Sequence, residues 1–157
     1  MMRLSRLADF AVVLMTHVAQ NHHSIHTAAK VAAATQLPAP TVAKVLVRLC
    51  REGLLASIRG VNGGYILERP ASAISAGAIV SAFDGPVALT QCIKPRPGRC
   101  EVEAVCPSRV GLHRINMAVR KALADVSLAD IAMSAPAFQE PARPLSSRQP
   151  PATKAHR

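Results

Sequence analysis

The chain has 157 residues, half of them hydrophobic, which is enough for one domain of ordinary size with a packed core. Its net charge is +10, and residues 1–70 hold eight Lys and Arg against three Asp and Glu, which favours a polyanionic partner such as nucleic acid. No apolar stretch is long enough for a signal sequence or a membrane span, so we expect a cytoplasmic protein without membrane contact, and no motif indicates an enzyme.

The first predicted element is an amphipathic helix over residues 3–19. Its apolar positions follow three- and four-residue steps: Leu4, Leu7, Ala11, Leu14, Met15 and Val18. Histidines cluster around its end, at positions 17, 22, 23 and 26. Because no Cys or carboxylate accompanies them at ligand spacing, exposed loop histidines are favoured over a metal site.

Two further helices are predicted on either side of a proline-containing turn. Thr27 is a candidate N-cap for an alanine-rich helix, which LPAP ends, and a second helix runs from Thr41 to Gly53. The second has an apolar face (Val42, Val45, Leu46, Leu49 and Cys50) and an opposite polar stripe (Thr41, Lys44, Arg48 and Arg51). This is the pattern of a helix-turn-helix with a basic recognition helix, although a solvated surface helix has a similar pattern.

A β-hairpin is predicted directly after this helix. LLASI and YILER are short strand-like runs around RGVNGG, and Gly63 and Gly64 are expected to supply the positive φ of a tight turn. A hairpin in this position is the wing of a winged helix-turn-helix domain. Its Arg59 is a candidate contact for phosphate or the minor groove.

The segment CIKPRPGRCEVEAVC places Cys92, Cys100 and Cys106 between a short helix that ends at Gly85 and a longer helix from about residue 107. A reducing compartment disfavours disulfides, and the spacing lacks the CxxC pairs and fourth ligand typical of zinc. A metal-free thiol switch, which needs two cysteines, stays open. The long helix carries a heptad-like seam that predicts a partner helix in a homodimer, with packing on its own domain as the alternative: Leu112, Ile115, Val119, Ala122 and Val126.

In this order, MRLSRLADFAV, the wing RGVNGGY and three cysteines followed by a helix resemble the Rrf2 family of bacterial transcription regulators, with its IscR-like and NsrR-like iron–sulfur sensors. The resemblance covers residues 2–132. It implies a homodimer that binds double-stranded operator DNA, and an iron–sulfur cluster, 2Fe-2S in preference to 4Fe-4S, held by Cys92, Cys100 and Cys106. The segment 106–132 looks most like regulators of SUF-type cluster assembly genes.

The sequence departs from the family pattern in two ways. Seven residues separate the first two cysteines, and Arg109 stands where IscR-like members have a histidine ligand. The resemblance therefore leaves the fourth ligand open between Asp9 of the other subunit, His113, an external thiol and none.

The expected fold is mainly α with a small β-hairpin. Its predicted parts are a winged helix-turn-helix domain (1–85), a cysteine loop (86–106), a dimerisation helix (107–132) and a disordered tail (133–157). The expected function is a repressor controlled by an iron–sulfur cluster. The alternatives are a nitric-oxide or redox sensor of the same fold and a regulator with a cluster-free thiol switch.

Overall fold

The structure, a computed structural model, describes residues 3–90, 93, 100 and 105–138. Within these ranges the chain forms a mainly helical fold with one two-stranded antiparallel sheet, which confirms the predicted fold class. The helices are α1 (Arg6–Gln20), α2 (Ala28–Thr35), α3 (Ala39–Arg51), α4 (Ala76–Asp84), α5 (Arg109–Asp125) and α6 (Leu128–Ser134), and the strands are β1 (Leu55–Ile58) and β2 (Gly64–Leu67).

Helix α1 lies at the centre of the core. It begins at Arg6, three residues later than predicted, because the Ser5 hydroxyl caps it by accepting a hydrogen bond from the Ala8 amide (3.1 Å). Leu4 precedes the helix and Leu7 lies in its first turn; they are 47% and 45% exposed, outside the core that the periodicity predicts for them. Most of the fully buried apolar side chains come from α1, α2, α3, α4 and α6, and they include Leu14, Met15, Val31, Val42, Leu46, Leu49, Ile79 and Leu128.

The helix pair α2–α3 is formed as the sequence predicts. The Thr27 hydroxyl accepts a hydrogen bond from the Lys30 amide (3.2 Å), and α2 ends where Gln36 adopts a left-handed conformation (φ 56°). Helix α3 begins at Ala39, two residues earlier than predicted, with Pro40 in its first turn, where proline is tolerated. Four of the five predicted apolar positions of α3 are buried, and Cys50 is half-buried against the core.

The hairpin is confirmed, but its glycines act in a different way from the one predicted. Neither Gly63 nor Gly64 has a positive φ; in the turn that angle belongs to Gly60 (φ 116°). A Cβ atom on Gly63 would lie 2.3 Å from the Ile58 carbonyl oxygen, and one on Gly64 would lie 2.6 Å from that of His26. The paired glycines are therefore needed for close backbone approach.

The predicted dimerisation helix, 107–132, is two helices in the structure. Helix α5 ends at Asp125, and Val126 adopts an extended conformation in which its carbonyl accepts a hydrogen bond from the Ala76 amide (2.8 Å). Ser127 and Asp130 then form a capping box that starts α6. Leu128 is fully buried, so α6 packs on the winged domain.

Of the predicted tail (133–157), residues 133–138 are described, and they include the end of α6; residues 139–157 lie outside the described part of the chain. Across the described ranges, no helix combines the length and apolarity needed to cross a membrane.

Candidate nucleic-acid interface and cysteine segment

The polar stripe of α3 faces outward. Lys44 and Arg51 are exposed, and Thr41 is half-exposed near the start of the helix. The first turn of α3 holds no acidic residue that would neutralise the positive end of the helix dipole. The N-terminal half of α3 therefore presents cationic and hydroxyl groups at the positive end of the helix dipole.

Arg48 belongs to this stripe, but its guanidinium is held by the neighbouring helix. Its Nε donates a hydrogen bond to the Ala82 carbonyl oxygen of α4 (2.7 Å), and its Cζ lies 5.2 Å from the centroid of the Phe83 ring. The sequence predicted a side chain free to contact DNA. Arg48 also fixes α3 on α4, because it bonds the last turn of one helix to that of the other.

The wing is hydrogen bonded to the loop between α1 and α2. His26 and Tyr65 exchange two backbone hydrogen bonds, His26 N–H to Tyr65 O (3.0 Å) and Tyr65 N–H to His26 O (2.8 Å). Arg59 is exposed at the end of β1, and Val61 at the tip is completely exposed. No pattern in the sequence indicates the contact between His26 and Tyr65, because an isolated bridge leaves no local pattern.

Two of the four histidines predicted to be exposed are buried. His17 and His26 are 8% and 5% exposed, with ring centroids 5.4 Å apart, while His22 and His23 are exposed as predicted. The Nε2 of His26 hydrogen bonds the Asn21 carbonyl (3.0 Å), and Phe138 packs edge-on against His17. Burial, and secondarily the nearby His26, lower the pKa of His17.

The three predicted cluster ligands are described in part. Cys92 lies outside the described residues, whereas Cys100 and Cys106 are half-buried free thiols. Asp9 and His113, the two candidate fourth ligands, are exposed on α1 and α5. Among the described residues, no three His, Cys, Asp or Glu side chains are grouped closely enough to hold a metal.

The predicted seam of α5 divides between two faces. Ile115, Ala122 and Val126 are exposed, with Ile115 at 55%, so they are accessible to a second subunit. Leu112 and Val119 are half-buried on the side that faces the rest of the chain. Helix α5 therefore packs on its own domain, and the partner helix predicted for its exposed apolar side chains stays a prediction.

Helix α4 lies between the candidate DNA-binding helix and α5. On one side, the Ala82 carbonyl receives the Arg48 hydrogen bond. On the other, a Cβ atom on Gly77 would already lie 3.4 Å from Leu123 of α5, so the two helices pack with little space between them. Helix α4 therefore contacts both α3 and α5.

Residues 4–134 match the Rrf2 family, whose description is "Iron-dependent Transcriptional regulator". The chain belongs to the Rrf2 family. This confirms the resemblance deduced from the sequence, and it identifies the chain as a transcription regulator and not an enzyme. Regulation through DNA binding follows from the same family assignment.

Individual relatives agree with the Rrf2 assignment. The chain is 30% identical over 131 residues to the HTH-type transcriptional regulator IscR of Erwinia tasmaniensis, covering 83% of this chain and 78% of that protein. It is 27% identical over 152 residues to Protein aau3 of Rhizobium meliloti, covering 93% of this chain and 99% of that protein.

Solved structures of Rrf2-type regulators share the fold. The structure of CymR, the global cysteine regulator of B. subtilis, superposes with a TM-score of 0.70 at 25% identity and covers 87% of this chain and all of that one. T. potens IscR superposes with a TM-score of 0.65 at 21% identity and covers 84% of this chain and 87% of that one.

Proposed function

We propose that this Rrf2 protein is a homodimeric repressor whose affinity for operator DNA depends on an iron–sulfur cluster bound by Cys92, Cys100 and Cys106. The observation that carries the proposal is the position of the cysteine segment. Cys106 lies three residues before α5, and α5 packs on α4, which is bonded to the candidate recognition helix α3. A change in the cysteine segment therefore has a short path to the DNA-binding surface.

The described donors fit an iron–sulfur cluster in their chemistry. Such clusters are held by thiolates, and Cys100 and Cys106 are unbridged thiols that are partly shielded from solvent. When bound, the cluster supplies a centre that oxidants and nitric oxide can alter.

For the fourth ligand we favour Asp9 of the second subunit over His113. Asp9 is exposed in the first turn of α1, where a partner chain can reach it, whereas His113 is exposed on the helix that follows the cysteines. Asp9→Ala should lower cluster retention, and His113→Ala serves as its control. The reverse result would favour His113.

On the DNA side, we propose that α3 enters the major groove and the wing lies at the minor groove. The proposed base contacts are Thr41 and Lys44, and the proposed phosphate contacts are Arg48, Arg51 and Arg59. All of them are exposed except Thr41, which is half-exposed. The proposed dimer contact is the exposed face of α5, with Ile115 and Ala122, together with Val126 directly after the helix. A two-fold dimer would present two copies of α3 to two half-sites.

The cluster part of the proposal is tested by anaerobic purification, absorption spectroscopy and analysis of iron and sulfide. We expect a coloured protein that contains both elements, and Cys106→Ala should lose them. Cys50→Ala is the matched control, because Cys50 is half-buried in α3 and should not affect iron content. A colourless wild-type protein after reconstitution with iron and sulfide would contradict the cluster.

The regulatory part is tested with a DNA duplex selected from a random pool by the iron-loaded protein. Its affinity should differ between the loaded and metal-free forms, because a ligand controls an equilibrium only through different affinities for two states. Equal affinities would show that the cluster does not regulate binding. SUF-type assembly genes, suggested by residues 106–132, are the proposed targets, and the selected sequence can be compared with the upstream regions of such genes.

A redox switch without a cluster is the second candidate. Its support is that Cys100 and Cys106 are free thiols, and that an oxidised form of CymR from Staphylococcus aureus superposes on this chain with a TM-score of 0.64 at 26% identity. Peroxide treatment of the metal-free protein should then form a disulfide that changes DNA affinity. Single replacements of Cys100 and Cys106 by serine would abolish that change.

A further inference from the structure

Asn116 is unusual among the residues of α5. It is 0% exposed, and it is the one buried residue of this helix, all of which the structure describes. Its Oδ1 accepts a hydrogen bond from the backbone N–H of Leu89 (3.1 Å), and its Nδ2 has no partner among the residues that the structure describes. A buried amide is costly unless its groups are bonded, so a half-satisfied asparagine here needs a reason.

The contact joins the chain before the cysteine segment to the helix after it. Leu89 stands three residues before Cys92, and Asn116 stands ten residues after Cys106. Three residues of chain span at most about 10 Å, and the seven-residue step from Arg109 to Asn116 along α5 is also about 10 Å. One side chain therefore joins the chain that leads into the cysteines to the helix that follows them.

The other residues on this side of α5 cannot provide such a link. Leu112, Val119 and Leu123 share the inner face with Asn116, at steps of four, three and four, and their side chains are apolar. Apolar contacts allow sliding, whereas a hydrogen bond to a particular amide fixes a register. Leu123 on the same face contacts α4 at Gly77, so a shift of this face would reach α4 directly.

We propose that Asn116 is a positioning residue. Its hydrogen bond to Leu89, here called the pin, holds the chain that enters the cysteine segment against α5, so that ligation by the cysteines changes the position or the mobility of this helix. The pin itself stands on the described contact alone. Its role in regulation rests on the proposed function.

The pin is tested in metal-free full-length protein by measuring hydrogen exchange of the Leu89 amide. Asn116→Leu removes the acceptor and should speed this exchange about tenfold, the effect of losing one ordinary net hydrogen bond. Asn116→Asp keeps an oxygen at the acceptor position and should exchange close to the wild-type rate. Met117→Ala, a change at the exposed neighbouring position, is the control and should have no effect. If Asn116→Leu does not unfold cooperatively on heating, Asn116→Ala takes its place.

Regulation is tested by the ratio of operator affinities of the loaded and metal-free protein. In Asn116→Leu this ratio should fall towards one, while the affinity of the metal-free form stays unchanged. Unchanged exchange at Leu89 would overturn the pin, and faster exchange with an unchanged affinity ratio would overturn the coupling. If wild-type protein binds no iron, the proposed function fails, and the exchange measurement still decides the pin.

Discussion

Replacing Arg48 with alanine should weaken both the fold and DNA binding, for separate reasons. The replacement removes the 2.7 Å hydrogen bond from Nε to the Ala82 carbonyl and the contact with the Phe83 ring. A partly exposed hydrogen bond from a charged group and an exposed cation–π contact together contribute about 2 kcal/mol to the free energy of unfolding. For a chain of this size the melting temperature should then fall by about 8 °C.

Arg51→Ala is the matched control for this prediction. Both arginines lie in the last turn of α3, so each replacement removes one positive charge and the same favourable interaction with the helix dipole. Only Arg48 is bonded to α4 in this way, so only its loss should lower the melting temperature by the amount above. Each variant should reduce the salt dependence of operator binding by about one phosphate contact.

The assays are thermal unfolding followed by circular dichroism, and fluorescence anisotropy on the selected duplex at several salt concentrations. Equal melting temperatures for the wild type, Arg48→Ala and Arg51→Ala would refute the idea that Arg48 fixes α3 on α4. An unchanged salt dependence in both variants would show that the C-terminal half of the stripe is only a solvated surface.

Three further predictions concern the wing, the dimer and pH. Gly64→Ala should break the two backbone hydrogen bonds between His26 and Tyr65, lower the free energy of unfolding by about 2 kcal/mol and weaken operator binding. Val61→Ala at the exposed tip is the control and should leave the melting temperature unchanged. Equal effects of the two replacements would contradict the idea that Gly64 is needed for close backbone approach. Ile115→Glu places a charge on the exposed face of α5 and should convert the proposed dimer to monomers in analytical ultracentrifugation. A dimer that persists would exclude this face as the interface. Burial lowers the pKa of His17 below its ordinary value of 6.5, so this histidine binds protons more readily in the unfolded chain. Its contribution to the free energy of unfolding should be fully present above about pH 6.5 and should decline below it. A His17→Phe variant with the same pH dependence as the wild type would contradict this.

Local chemistry in the sequence determined where most helices and strands lie. The caps at Thr27 and Gly85, the apolar steps of α3 and the strand-like runs around RGVNGG each act within a few residues, and each is found in the structure. The motifs MRLSRLADFAV and RGVNGGY, together with three cysteines followed by a helix, indicated the Rrf2 family by resemblance. Periodicity was less reliable at helix ends, because Ser5 and the Ser127–Asp130 capping box decided those boundaries against the apolar pattern.

The tertiary structure decided which side chains are free and which are bonded over long distances in the chain. Arg48 binds α4 and Asn116 binds Leu89, although both positions read as ordinary residues of an amphipathic helix. His17 and His26 are buried because α1, the wing and Phe138 meet around them. Contacts such as those of Arg48 and Asn116 join residues about thirty positions apart, so no repeat or spacing in the chain predicts them. The sequence determined the elements and indicated the family. Packing determined which side chains are exposed and which are bonded within the fold.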